Sequence, residues 1–80
     1  MLIDTLLFAS YADALGMESV RLTLPAGATV KDALAQLRAL PGGERLPPAP
    51  LVAINLAYAR VDSALAAGDE LAVIPPVAGG

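Results

Sequence analysis

A single amphipathic segment limits the folds open to this chain of 80 residues. Within residues 29–40, apolar side chains recur at helical spacing, at Val30, Ala33, Leu34, Leu37 and Leu40. Thr29 is placed to cap this helix with Asp32 at its third position, and Pro41-Gly42-Gly43 stops it. Because a chain of this length forms one small domain, the apolar stripe of the helix must be covered by a sheet.

Strand-like segments on both sides of the helix supply that sheet. Residues 2–9 form an apolar run with one charge, Asp4, and residues 19–24 alternate between apolar and polar side chains. A short helical turn at 11–15, closed by Gly16, lies between them. After the helix come strand-like segments at 51–55, 58–61 and 70–74. This order predicts an α+β domain of the ubiquitin-like β-grasp type, in which a mixed sheet packs on one main helix and the last strand returns near the first.

Composition excludes several classes of activity. The chain has no cysteine and no histidine, which removes disulfides, thiolate metal sites and histidine-dependent catalysis, so we expect neither a metal nor an active site of its own. Five dispersed basic residues and a net charge of −3 disfavour nucleic-acid binding. We find no apolar run of membrane-spanning length and no signal-peptide pattern, and we therefore expect a cytoplasmic protein that does not enter a membrane.

The end of the sequence carries the main indication of function. The chain closes with Pro75, Pro76, Val77, Ala78, Gly79 and Gly80. We predict a globular domain over residues 1–74 and a flexible, extended tail over residues 75–80, because proline favours extended backbone and terminal segments are often disordered. Such a tail reaches roughly 20 Å, and its two glycines lack the side chains that would block a narrow tunnel.

These properties indicate that the carboxylate of Gly80 is the reactive group. A carboxylate must be activated before it reacts, most simply as an acyl-adenylate, which a sulfide donor can convert into a thiocarboxylate. Such a carrier handles sulfur without a cysteine. The sequence has no phosphate-binding loop pattern, so we expect ATP to be used by an activating partner and not bound by this chain.

A docking surface is predicted beside the tail. Asp4 and Glu70 mark the solvent face of the first and last strands, which places side chains of the same parity on that face, namely Leu6, Phe8, Ala72 and Ile74. With Tyr58, these side chains form a candidate apolar patch. The alternative is ordinary exposure of apolar atoms.

Other polar residues have simpler interpretations. Gly68-Asp69-Glu70 can be read as a metal or acid–base cluster, but glycine and acidic residues are also typical of turns. Asn55 is interpreted as a turn former, Thr29 as a helix cap and Lys31, the single lysine, as a solvated side chain.

One combination of motifs extends over nearly the whole chain. Its pieces are Leu7-Phe8-Ala9, Ala14-Leu15-Gly16, Thr29-Val30 with Leu34 and Leu37, Val52-Ala53-Ile54-Asn55, and Leu65 with Gly68-Asp69-Glu70-Leu71-Ala72 before Ile74-Pro75-Pro76-Val77-Ala78-Gly79-Gly80. This combination resembles the small subunit of molybdopterin synthase, the MoaD family. The most specific piece is Gly-Asp-Glu, a short apolar strand and Pro-Pro-Val-x-Gly-Gly.

The resemblance implies a sulfur carrier in molybdenum cofactor biosynthesis. In that family an E1-like adenylyltransferase activates the position of Gly80 with ATP, and a sulfurtransferase system supplies sulfur. The thiocarboxylate then enters the large subunit, MoaE, in a heterotetramer of two small and two large subunits, and donates sulfur to cyclic pyranopterin monophosphate to build the dithiolene. Family contacts carry over to Phe8, Tyr58 and Ile74, where Ile74 stands in place of a phenylalanine found in some members.

Three alternative functions remain open at this point. A sulfur carrier of thiazole synthesis, resembling ThiS, shares the fold, although such carriers tend to be shorter and usually lack Pro-Pro-Val. A ubiquitin-like protein modifier would form isopeptide bonds through Gly80. A binding domain without chemistry would carry its terminal glycines incidentally.

Overall fold

Five strands form one mixed sheet, and two α-helices pack with its inner face around a single core. The computed structural model describes residues 1–76. Its elements are β1 (Leu2–Leu7), α1 (Ala9–Leu15), β2 (Ser19–Thr23), α2 (Val30–Arg38), a 3₁₀ turn (Gly43–Arg45), β3 (Leu51–Ile54), β4 (Ala57–Ala59) and β5 (Glu70–Ile74). The strand order is β2-β1-β5-β3-β4, with β1 and β5 parallel and every other pair antiparallel. The predicted α+β, β-grasp arrangement is confirmed.

The core lies between the sheet and the two helices. Along β1 the side chains of Ile3, Thr5 and Leu7 are buried while those of Leu2 and Asp4 are exposed, as the predicted alternation requires. The predicted stripe of α2 is buried at Val30, Ala33, Leu34 and Leu37, and Leu40 packs against the core from just beyond the helix. Burial of these two apolar faces against each other is the main force that holds the fold together.

The start of α2 follows its predicted capping pattern. Thr29 and Asp32 form a capping box, in which the Asp32 carboxylate accepts hydrogen bonds from the Thr29 backbone N–H (2.9 Å) and hydroxyl (3.3 Å). At the end of α1, Gly16 adopts the predicted left-handed conformation, and its N–H donates to the Ala12 carbonyl at 2.8 Å. No helix within residues 1–76 is both long and apolar enough to cross a bilayer.

Several element boundaries differ from the sequence prediction. The first strand ends at Leu7 and not at residue 9, because the backbone turns into α1 through Ala9, whose φ is 47°. The strand predicted at 58–61 lies at Ala57–Ala59, since a two-residue turn restarts the pairing at Ala57. A 3₁₀ turn follows the helix stop, and Leu46 after it is buried in the core.

One buried polar atom leads to a stability prediction. The Thr5 side chain is fully buried, and its Oγ1 has no hydrogen-bond partner among the described residues. Because an unpaired buried hydroxyl is unfavourable, Thr5→Val is expected to raise the free energy of unfolding by about 1 kcal/mol. A higher denaturant midpoint at unchanged slope will show this. Thr5→Ser, which keeps the hydroxyl and loses the methyl group, serves as the control and is expected to lower stability.

Candidate functional site

The root of the tail lies at the end of the sheet where both β1 and the central strand β5 finish. Because β1 and β5 are parallel and Leu7 pairs with Val73, the next residues, Phe8 and Ile74, come side by side at this end. Pro75 and Pro76 follow directly, half-buried and exposed respectively. Val77, Ala78, Gly79 and Gly80 lie outside the described residues, and the predictions made for them remain predictions.

On the outer face of the sheet, near this end, one row of side chains runs across four strands. Leu6 of β1 pairs with Ala72 of β5, Ala72 with Ala53 of β3, and Ala53 with Tyr58 of β4. Directly paired residues point to the same face, so the two alanines form a low floor between larger side chains. The parity predicted from Asp4 is confirmed.

This arrangement produces an apolar depression of about 290 Å³ on the outer face. Its lining consists of Leu6, Phe8, Ala53, Leu56, Tyr58, Glu70, Ala72 and Ile74. Phe8 is 44% exposed and Tyr58 is 78% exposed, so both rings are open to a partner. The structure therefore brings together the three predicted contact residues, Phe8, Tyr58 and Ile74.

The hairpin between β3 and β4 forms the side of the depression away from the tail. Asn55 and Leu56 make a two-residue turn in which both φ angles are positive, 50° and 72°, as in a type I′ turn. The Asn55 side chain ties this turn to the start of β5, because its Nδ2 donates to Asp69 Oδ1 (2.9 Å) and its Oδ1 accepts from the Glu70 N–H (2.9 Å). The interpretation of Asn55 as a turn former is confirmed.

The acidic residues near the depression serve in turns or face solvent. Asp69 Oδ2 accepts from the Ala66 N–H at 2.8 Å, and Gly68 beside it has φ of 84°, which supports the turn interpretation of this segment. Asp4 Oδ1 accepts from Arg21 Nε at 2.9 Å on the same outer face, as an exposed ion pair. Glu70 is the one charged residue that lines the depression.

The chemistry of the described outer face is set mainly by apolar side chains. Within residues 1–76, no three acidic side chains form a group able to hold a metal ion. The lining of the depression is apolar except for Glu70. An exposed apolar area of this kind is typical of a protein-binding site.

Leu56 is the residue of this surface that sequence analysis missed. It is 93% exposed, more than any other large apolar side chain in the described part of the chain. A usable signal exists, because Asn55 tolerates positive φ and only residues 56 and 57 separate the predicted strands 51–55 and 58–61, which indicates a tight turn at residue 56. Ala53, which forms part of the floor, is predicted from the sequence only as part of the strand at 51–55.

Comparison with known proteins shows similarity along the whole chain. A model of the ThiS family matches residues 5–80. The molybdopterin synthase sulfur carrier subunit of Arabidopsis thaliana is 33% identical over 79 residues, which cover 98% of this chain and 82% of the relative. SAMP1 of Haloferax volcanii has a TM-score of 0.86 at 38% identity, with both chains fully covered. A second structure, named H. volcanii small archaeal modifier protein 1, has a TM-score of 0.83 at 34% identity and covers 95% of this chain and 98% of that one.

A further solved structure supports the fold. A putative molybdopterin converting factor subunit 1 from Pyrococcus furiosus has a TM-score of 0.82 at 24% identity, over 96% of this chain and 99% of that chain. These similarities cover the whole sheet and both helices. They identify the architecture as the ubiquitin-like β-grasp.

Proposed function

This chain belongs to the ThiS family, and from that premise we propose that it is the sulfur carrier subunit of a molybdopterin synthase. The proposal rests above all on the 33% identity that extends over 98% of the chain to a plant protein of that name. The family match runs through residue 80 and so includes the Gly79-Gly80 pair.

In the proposed reaction, the carboxylate of Gly80 attacks the α-phosphorus of ATP, forming an acyl-adenylate and releasing pyrophosphate. Sulfide delivered by the donor then displaces AMP and leaves a thiocarboxylate. The thiocarboxylate sulfur attacks a side-chain carbon of cyclic pyranopterin monophosphate and displaces an oxygen substituent from it, which gives a thioester. Hydrolysis of the thioester leaves the sulfur on the pterin and returns the carboxylate, so that two carriers are used for each dithiolene. An adenylyltransferase, a sulfurtransferase and a large subunit must supply the active sites, because this chain has neither histidine nor cysteine.

The position of the apolar depression supports this role. A partner seated on Phe8, Tyr58 and Ile74 lies beside Pro75, where the chain leaves the sheet. From there, six residues in extended conformation reach roughly 20 Å. Docking on the depression would therefore position the end of the chain in an active site of the same partner, and the large subunit, in an assembly of two small and two large subunits, is the proposed recipient.

Mass spectrometry of the intact protein tests the first half of the proposal. Incubation with ATP, the adenylyltransferase and a sulfide source should add the mass difference between sulfur and oxygen, located at Gly80. Addition of the large subunit and cyclic pyranopterin monophosphate should return the original mass and yield molybdopterin. If the chain takes up sulfur but supports only thiazole formation, it belongs to the alternative carrier pathway.

Docking through Phe8 gives a separate prediction. Phe8→Ala removes an exposed ring from the depression, and we expect affinity for the large subunit to fall roughly tenfold or more, as for aromatic anchors at other interfaces. Titration calorimetry measures the affinity, and chemical denaturation should show a smaller change in folding free energy. The matched control is Leu2→Ala, because Leu2 is 50% exposed yet lies outside the depression. Equal affinities of Phe8→Ala and wild type would contradict the assignment of this face.

A second candidate function is protein modification. It is favoured by the 34% identity to a protein named small archaeal modifier protein 1. In that reaction the activated carboxyl of Gly80 would transfer to a lysine amine of an acceptor protein, with loss of AMP. Incubation with ATP, the adenylyltransferase and candidate acceptors distinguishes the two functions. Because Arg60 is the last basic residue, tryptic digestion of a modified acceptor leaves residues 61–80 attached to its lysine, whereas a carrier leaves no such branched peptide.

A further inference from the structure

The exposed tip of the β3–β4 hairpin is unfavourable for the isolated chain in two ways. Leu56 has φ of 72°, a conformation in which the Cβ of an L-residue crowds its own carbonyl group. Its side chain is 93% exposed and so gains almost no burial from the fold. The second position of such a turn is usually glycine, which would avoid both penalties.

Unusual backbone conformations in the described residues occur next to the depression. The non-glycine residues with positive φ in residues 1–76 are Ala9, Asn55 and Leu56. Ala9 directly follows Phe8, and Asn55 and Leu56 form the hairpin turn on the opposite side. Strained positions are frequently found at binding sites, where the surrounding structure maintains them.

Asn55 holds the turn in place, so the position of Leu56 is defined. The side-chain amide of Asn55 bonds to Asp69 and Glu70 at 2.9 Å in each case, and the Asn55 N–H donates to the Glu70 carbonyl at 2.8 Å. These bonds tie the hairpin to β5, the strand that leads to the tail. The backbone of a turn held in this way loses little conformational freedom on binding, which favours affinity.

We propose that Leu56 is an anchor that enters an apolar socket on the large subunit, at the side of the docking surface away from the tail. This inference rests on the proposed function and extends it to a residue and a partner. The depression continues from Ile74 at the root of the tail to Leu56, so one partner can cover both. The large subunit is a better candidate for this partner than the adenylyltransferase, which binds only transiently. Permanent interfaces are more apolar than transient ones, and a permanent partner keeps an exposed leucine covered.

Charge indicates the surroundings of that socket. Glu70 lines the depression, Asp69 precedes it, and the whole chain carries a net charge of −3. The complementary surface is therefore an apolar socket with basic side chains at its rim, and salt is expected to slow association.

The test is substitution of Leu56 in the full chain, with binding to the isolated large subunit measured by calorimetry. Leu56→Asn is expected to weaken binding roughly tenfold or more, because asparagine accepts positive φ but cannot fill an apolar socket. Leu56→Met, which keeps apolar reach, is expected to stay within roughly threefold of wild type. The matched control is Leu2→Asn, since Leu2 lies on the same face at the far end of β1, roughly 20 Å from Phe8.

Stability measurements separate docking from folding. Leu56→Gly relieves the backbone strain, so its denaturation midpoint should equal or exceed that of wild type while its affinity for the large subunit falls. The inference is overturned if Leu56→Asn and Leu56→Gly bind the large subunit with wild-type affinity, or if these variants bind only the adenylyltransferase more weakly. Either result leaves the proposed function intact. Failure of the wild-type chain itself to bind the large subunit overturns both.

Discussion

Deletion of Gly80 is expected to abolish sulfur loading and molybdopterin formation while the fold stays intact. Removing one residue withdraws the terminal carboxyl by about 3.5 Å from the attacking position. Misplacement of a reacting group by even about 1 Å can reduce rate a hundredfold, so the loss should exceed about 100-fold. Intact mass after incubation with ATP, adenylyltransferase and sulfide gives the loading, and a coupled assay with the large subunit gives the product.

Matched variants separate tail length from tail width. Gly79→Trp keeps the length but introduces a bulky side chain, and it should also be inactive if the tail enters a narrow tunnel. Ala78→Gly changes the same segment without moving the carboxyl group or adding bulk, and it should remain active. Because no residue beyond Val73 belongs to the buried core of residues 1–76, the free energy of unfolding should change by less than about 0.5 kcal/mol in all three. Molybdopterin formation by the Gly80-deleted chain at the wild-type rate would contradict the proposed chemistry.

Substitution of Gly42 by alanine is expected to remove about 3 kcal/mol or more of folding free energy, out of roughly 4–12 kcal/mol for a domain of this size. A Cβ at Gly42 would lie 1.9 Å from the Ala14 carbonyl oxygen, and φ there is 85°. Since the obstacle is the backbone of α1, relief requires movement of a whole element. Chemical denaturation followed by circular dichroism measures the effect.

The other glycines allow the two causes to be separated. Gly27 has the same φ of 85°, but a Cβ placed there would have no neighbouring atom within 4 Å, so Gly27→Ala reports backbone strain alone and should lose about 1 kcal/mol. At Gly43 a Cβ would lie 2.0 Å from the Leu37 carbonyl oxygen without a positive φ, so Gly43→Ala reports steric contact alone, with a loss of about 2 kcal/mol. Equal losses at Gly27 and Gly42 would show that the close approach to Ala14 does not limit stability.

These contacts illustrate what local pattern does not reveal. Pro41-Gly42-Gly43 reads correctly as a helix stop, because proline and glycine disfavour continuation of α2. The same three residues do not indicate that Gly42 lies against the Ala14 carbonyl group of α1, nor that Gly43 begins a 3₁₀ turn. Both facts depend on how close two elements come in space, and contact between residues far apart in sequence leaves no local periodicity.

The docking surface combines both kinds of information. Alternation along β1 and β5 is enough to predict that Phe8 and Ile74 face outward, because successive side chains of a strand point to opposite faces. The joining of these residues with Ala53, Leu56 and Tyr58 in one depression is decided by the sheet order. That order places β3 next to β5 and β4 on the far side of β3, and pairing of this kind is a long-range property.

The sequence by itself determined the class of fold, the buried stripe of α2, which side chains of β1 and β5 face outward, and the absence of side chains on the terminal glycines. All of these follow from periodicity, capping or the absence of side chains, which are local properties. Only the tertiary structure decided that the root of the tail, the Phe8 ring and the strained Leu56 tip share one surface. Strand register and chain packing produce that surface, because they set distances between residues that the linear order keeps apart.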